Sequence, residues 1–337
     1  MAGLSRGWLN REGEDSMRQT RTVVLTVGCL VAAAALIAAP FQQAAVRITK
    51  DAQGYWFTEG DTKVMFYQLE RKAMPDGQAA RSNYFHPLYD LDGRVITEDF
   101  PADHIHHRGI FWAWHQVLIN GKTVQDQWVN RDSFWPVQDA QTASDAMSAS
   151  LRLRVVWESP QFTDAQGRRR PFVEESSVTR VYRVEGDTRR IDFHQRLTAL
   201  VDGVAIGGSD DAKGYGGFSP RIVMPPDIVF TGEQGVVKPI ENAVDASRWM
   251  DMSGTYGSGK SGLTVLTHPT TTGFPQRWIL RARNSMQNAV YPGQQPVAMP
   301  RDRPVILRYR VVLHRGALAP ARIAQLQAEY AKESVSN

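Results

Sequence analysis

The chain has 337 residues, 42% hydrophobic and 22% charged, with a formal net charge of +4 and one cysteine, Cys29. So small a charge, with no basic run beyond Arg168-Arg169-Arg170, argues against nucleic acid as a partner, and the triplet reads as a solvated turn. Mixed charges and ample apolar residues exclude a largely disordered chain and leave enough length for a sizeable core.

Residues 1–45 read as an N-terminal extension carrying a signal peptide or membrane anchor. Val23 to Ala39 is uncharged and unbroken, and Arg18 and Arg21 precede it as a basic flank would. The run is short and Ala-rich for a stable span, and Met17 is an alternative start. Cys29 falls inside it, so the rest of the chain lacks disulfides, cysteine-ligated metals and a cysteine nucleophile. The expectation is one exported domain, 46–337, periplasmic or extracellular, touching a membrane only through an uncleaved N-terminal segment.

From residue 46 onward strand signals dominate. Leu151, Leu153, Val155 and Trp157 alternate with Arg152 and Arg154; Ile191, Phe193, Gln195 and Leu197 with polar residues; Leu307, Tyr309, Val311 and Leu313 with Arg308, Arg310 and His314. A period of two means one buried face and one wet face, as in an antiparallel sheet. Further runs are 64–69, 173–184, 228–231, 263–267 and 278–283, separated by turn signals such as Asp92-Gly93, Asn120-Gly121 and Gly257-Ser258-Gly259. The polar segment 138–148 reads as a loop. Pro320 opens the one persuasive helix, with Ile323, Leu326 and Tyr330 at helical spacing. The expected fold is mostly β, a large antiparallel β-sandwich closed by a C-terminal helix.

Five of the eight histidines fall between positions 86 and 115: His86, His104, His106, His107 and His115. Histidine works as acid or base near neutral pH and is the commonest metal ligand. Three readings stay open. His104 and His106, on one face of a strand, chelate a divalent metal; or His106 and His107 act as general acid and base on a sugar-like substrate; or the histidines satisfy buried backbone groups in a long loop. Trp128 and Trp135 sit in a looser segment and are the expected stacking surfaces. Glu174 and Glu175 occupy consecutive strand positions, so one faces inward, where it would pair with a histidine. Asp211, Lys213, Tyr215 and Arg221 lie in a glycine-rich stretch that would let the backbone approach a ligand. His268 follows a strand and is placed in the same cleft. No Gly-x-Ser-x-Gly or His-Glu-x-x-His occurs, so serine hydrolase and zincin chemistry have no motif here.

Tyr84-Phe85-His86-Pro87-Leu88, the block Asp103-His104-Ile105-His106-His107-Arg108-Gly109, Lys213-Gly214-Tyr215-Gly216-Gly217-Phe218 and His268-Pro269 together resemble a bacterial family labelled "methane oxygenase PmoA", also described as a domain of unknown function. The resemblance covers most of residues 50–315. It implies a carbohydrate-related role and a supersandwich like that of galactose mutarotase. The oxygenase chemistry does not carry over, because one apolar run followed by strands is not a multi-span helical membrane subunit. The combined expectation is an exported protein that acts on a sugar or glycoside by histidine–carboxylate acid–base chemistry, whether as hydrolase, lyase or epimerase. His86, Arg108, Lys213 and Arg221 would orient the substrate. The alternatives are a non-catalytic carbohydrate-binding protein and a histidine-ligated metalloenzyme.

Overall fold

The alternating segments become strands of two nine-stranded antiparallel sheets. The computed structural model describes residues 45–283 and 285–334, so the apolar run 23–39 and its reading as signal or anchor lie outside the described residues. Among the described residues no helix is long and apolar enough to cross a membrane.

The first sheet runs Val46–Lys50, Gly54–Glu59, Thr62–Gln68, Tyr84–Leu88, Ile110–Trp114, Gly216–Pro220, Asn288–Val290, Gln276–Ile279, Val244–Ser247 in spatial order. The second is built around Val305–Arg315, flanked by Gly259–Thr267 on one side and by Thr188–Ala199, Arg169–Tyr182 and Ser148–Thr163 on the other. A small four-stranded sheet carries the hairpin of Gln116–Ile119 and Lys122–Gln125. Asn120 and Gly121 at its tip both have positive φ, 50° and 77°, which is why that dipeptide stands there.

The two large sheets face each other across an aromatic core. Phe85 of the first packs edge-on to Phe193 of the second at 5.2 Å, and Phe218 stacks on Tyr309 at 4.5 Å. Leu151, Val155, Trp157, Ile191, Leu197, Leu307, Val311 and Leu313 all point into this layer. The second sheet's outer face is not uniformly wet. Helix Pro320–Tyr330 lays Ile323, Leu326 and Tyr330 over Trp249, Leu266 and Val312. Arg310, expected in solvent, is therefore buried, and pairs with Asp192 (2.6 Å) and Glu333 (2.6 Å). His314 is buried likewise, against Asp251 at 2.9 Å.

One polar segment differs from expectation. The polar segment after Pro136 is not a loop but an edge strand, Val137–Ser144, exposed along most of its length. With solvent on both faces, such a strand has no apolar alternation to betray it.

Glu174 and Glu175 take opposite faces of their strand. Glu175 is fully buried between the sheets, where its carboxylate accepts hydrogen bonds from Asn83 Nδ2 (3.2 Å), Trp112 Nε1 (3.1 Å) and Trp157 Nε1 (3.0 Å). Burial pushes its pKa up, and the three donors oppose that rise. Glu175→Leu strands all three donors in the core, and the expected loss is about 3 kcal/mol or more. Glu175→Gln keeps an acceptor and should cost distinctly less. Urea unfolding followed by tryptophan fluorescence measures both, and equal losses would remove the clamp from the explanation.

Candidate functional site

Strand Ile110–Trp114 has two working faces. Trp112 and Trp114 point inward, the latter donating to Tyr291 O at 2.8 Å. Phe111 and Ala113 point outward into a small apolar cluster with Tyr84, Trp128 and Ile279. Gly109 sets the entry to this strand: a Cβ there would lie 1.9 Å from Phe85 O, so only glycine lets the two strands close.

Before Gly109 the chain is folded into tight turns, with His104 N donating to Pro101 O (3.0 Å) and His107 N to His104 O (2.9 Å). The expected strand face carrying His104 and His106 does not exist. The turns instead gather three imidazoles. His104 stacks on His107 at 4.6 Å, and His106 stands edge-on to both, at 5.8 and 4.7 Å. The wall continues through Trp128, 5.9 Å from His107, which is stacked between His115 (5.4 Å) and Tyr215 (5.4 Å).

Carboxylates brace the outer members. Asp103 Oδ2 meets His104 Nδ1 at 2.8 Å, and Asp126 Oδ2 meets His115 Nδ1 at 3.1 Å. Buried Arg221 holds Asp103 through two hydrogen bonds (2.8 and 3.1 Å), donates to Glu98 at 2.6 Å, and lies 3.4 Å from His107 Nδ1. Partial burial pushes the Asp103 pKa up, yet the hydrogen bonds from Arg221 and His104 win and hold it at about 2. His106 has no hydrogen-bond partner among the described residues. Of the three clustered rings it alone keeps both nitrogens free.

Several expected residues have other employment. Arg108 is fully buried, donates to Ile105 O (2.8 Å) and to Ala79 O, and lies on the Phe100 ring at 3.4 Å; no edge of it faces a substrate. Arg221 is likewise saturated by Glu98 and Asp103 and acts as a brace. Trp128 and Trp135 are buried, at 4% and 5% exposure, so neither is an open platform. Glu174 pairs with Arg154 at 3.6 Å on the solvent side, and Glu175 sits in the core, so neither partners a histidine. His268 is on the other sheet, beneath the terminal helix, edge-on to Tyr330 at 5.0 Å. His86 is tied to Thr97 Oγ1 at 3.0 Å. In the stretch after Ser209, Asp211 caps a turn by accepting from Ser209 Oγ (2.7 Å) and Lys213 N (3.0 Å). Its glycines serve the chain's own packing: a Cβ on Gly208 would fall 2.2 Å from Gly214 O. Lys213 is half-exposed, near Asp211 and Glu241, and Tyr215 accepts from Arg281.

Asp126, Glu98 and Arg281 carry the site and were not anticipated. A partial signal for Asp126 existed: the Asn120-Gly121 turn pairs Ile119 with Lys122 and so returns the chain past His115, although a register shift beyond Leu118 sets the final pairing of Val117 with Gln125. For Glu98 and Arg281, long-range neighbours through irregular segments, no local pattern offered one. Among the described residues no three histidine or carboxylate side chains are placed to hold a metal ion.

Burial, aided by neighbouring imidazoles and arginines, pushes His106 down to about 4 and His107 down to about 2; burial also takes His86 and His194 to about 4, from an ordinary value of 6.5. The folded chain keeps these four rings neutral where the unfolded chain protonates them. The unfolded state then binds more protons, so stability falls as pH drops from about 6.5 toward 4. Urea midpoints across that window should decline, with a slope equivalent to uptake of up to four protons on unfolding. In the quadruple His86→Gln, His106→Gln, His107→Gln, His194→Gln variant the slope should flatten; an unchanged slope would contradict the assignment.

Comparisons with known proteins follow the fold and leave the chemistry open. The model of a family described as "Family of unknown function (DUF6807)" matches residues 54–328. No curated protein matches. Among solved structures the chain is similar to a heparan sulfate lyase HepC mutant from Pedobacter heparinus, at TM-score 0.41 and 9% identity over 81% of this chain and 37% of that one. It is also similar to a heparinase III gene product with methylated lysines, at TM-score 0.31 and 10% identity over 81% and 34%. The chain thus spans about a third of the length of these solved relatives.

Proposed function

The chain belongs to the DUF6807 family, whose function is unknown, and we propose that it is an exported enzyme acting on a sugar or glycoside by acid–base chemistry at the histidine wall. His106 is the proton acceptor. The observation that carries this reading is its pair of unengaged ring nitrogens, set among rings whose Nδ1 atoms are already held by Asp103, Arg221 and Asp126. A half-buried imidazole kept neutral down to about pH 4 is free to take a proton across the physiological range. His104 is the complementary donor: Asp103 fixes its Nδ1 and orients the ring, as the orienting carboxylate does in a catalytic triad, leaving Nε2 to face the substrate.

The rival reading, a carbohydrate-binding module without catalysis, calls for tryptophans on an open face and no histidine–carboxylate pair. Here Trp128 and Trp135 are buried and two such pairs flank His106. Half-exposed Lys213 and Tyr215 at the end of the wall supply polar contacts suited to hydroxyl groups.

His106→Ala should lower kcat/KM by about 10²–10⁴-fold while shifting unfolding stability by no more than about 1 kcal/mol. The measurement is turnover of a sugar and glycoside panel by the parent chain, followed by the variant on whichever substrate responds. Undiminished turnover by the variant would sink the role of His106, and a panel without any response would sink the sugar assignment.

A further inference from the structure

A second feature lies apart from the histidine wall, and no residue of the wall lines it. A groove of about 560 Å³ is formed where strands Val46–Lys50 and Gly54–Glu59 and residues 69–71, which follow strand Thr62–Gln68, meet the segment 134–140 and the start of Arg169–Tyr182. Its aromatic lining is Tyr55, Phe134 and Trp135, and its cations are Lys50, Arg71 and Arg169.

Phe134 organises the charge. The Arg71 guanidinium lies 4.4 Å from the ring centroid and that of Arg169 lies 3.9 Å from it, so two cations share one ring. Arg169 also donates to Glu158 at 3.2 Å. Arg71 spends one hydrogen bond on Ser133 O, at 3.1 Å, and has no carboxylate partner among the described residues. Burial and the charge of Arg169 both lower the Arg71 pKa, which means the cation sits in a field that an incoming anion would relieve. Lys50 reaches only the Tyr55 ring, at 5.6 Å, and likewise has no carboxylate partner among the described residues. Against these three cations the lining has two acids, Glu70 and Asp139, and the latter already accepts from Gln141 at 2.8 Å.

The Arg168-Arg169-Arg170 triplet is thus only partly a solvated turn. Arg168 closes the turn on Asp164 at 2.8 Å, while Arg169 folds back onto Phe134 and Arg170 onto Phe162. Trp135 is fixed from behind by the Arg81 guanidinium at 4.8 Å, so the aromatic lining is pre-formed.

We propose that this groove binds a sugar unit bearing a carboxylate or sulfate, with Arg71 and Arg169 taking the anionic group as planar forks beside the Phe134 ring. Ser82 and Gln138, also in the lining, face the hydroxyls. The anionic half of this assignment rests on the groove alone. The sugar half rests on the proposed function.

Isothermal titration calorimetry on the full chain tests it with three probes: a galacturonic acid trisaccharide, the neutral galactose trisaccharide, and inorganic sulfate. The acidic trisaccharide should bind at least tenfold more tightly than the neutral one and weaken as salt is raised. Arg71→Gln with Arg169→Gln should abolish that preference. The double lysine variant, which retains charge without the fork, should keep the salt dependence with weaker binding, and thermal melts confirm that both variants fold. His106→Ala should leave the affinity within twofold, so a failure of the catalytic reading registers separately. Equal affinity for acidic and neutral trisaccharides, full binding by the glutamine variant, or binding of sulfate without the acidic trisaccharide would each overturn the proposal.

Discussion

A single buried carboxylate joins the two sheets and fixes the strand on which the candidate site rests. Glu175 belongs to the second sheet, while two of its three donors, Asn83 and Trp112, come from the first-sheet side. A charge-bearing group in that layer is tolerated only when its hydrogen bonds are met. Meeting them dictates that Trp112 points inward. Side chains on a strand alternate, so Phe111 and Ala113 must then point outward. That outward face is the floor on which Trp128 and His107 pack. The core polar group and the surface imidazoles are therefore linked through one strand's alternation. Asn83 is held in turn by Tyr67, whose hydroxyl donates to its Oδ1 at 2.8 Å.

Arg81 performs the corresponding task for the segment 126–135. It is almost fully buried and has no ion-pair partner among the described residues. Its guanidinium donates to Gln127 O (3.0 Å), Trp112 O (2.7 Å) and Asn130 Oδ1 (3.1 Å). A fork of fixed geometry anchored on three such acceptors shapes an otherwise irregular stretch. The same stretch delivers Asp126 and Trp128 to the histidine wall and Phe134 and Trp135 to the cationic groove. Two surface features thus depend on one buried arginine, and its guanidinium pKa falls to about 9 because burial, then the nearby Arg108 charge, penalise the cation.

What the sequence made legible follows the range of the physics. Period-two alternation at 151–157, 191–197 and 307–313 reports one buried face per strand, and those faces form the core. The helix was equally local, with Pro320 at its start and Ile323, Leu326 and Tyr330 on one stripe. Consecutive glutamates on a two-sided strand required one to be buried, and Glu175 is. Partners across the fold were not legible. Nothing near His268 says that a terminal helix covers it, and nothing near Trp128 says that His115 and Tyr215 close over it. Histidines clustered in sequence do meet in space, but turn geometry, not strand periodicity, assembled the three rings.

The wall also shows why such a cluster is costly to keep. Three imidazoles within 6 Å of one another cannot all be charged without repulsion, and buried Arg221 and Arg108 stand nearby. The fold answers by keeping His106 and His107 neutral and by spending Arg221 on Asp103 and Glu98, so that the cation nearest His107 is locally compensated. That compensation is incomplete below neutrality, where the unfolded chain gains protons the folded chain refuses. A sequence selected for stability alone would replace at least His106, whose nitrogens bond to nothing among the described residues. Its presence among braced neighbours is the local inconsistency on which the proposed acid–base role rests.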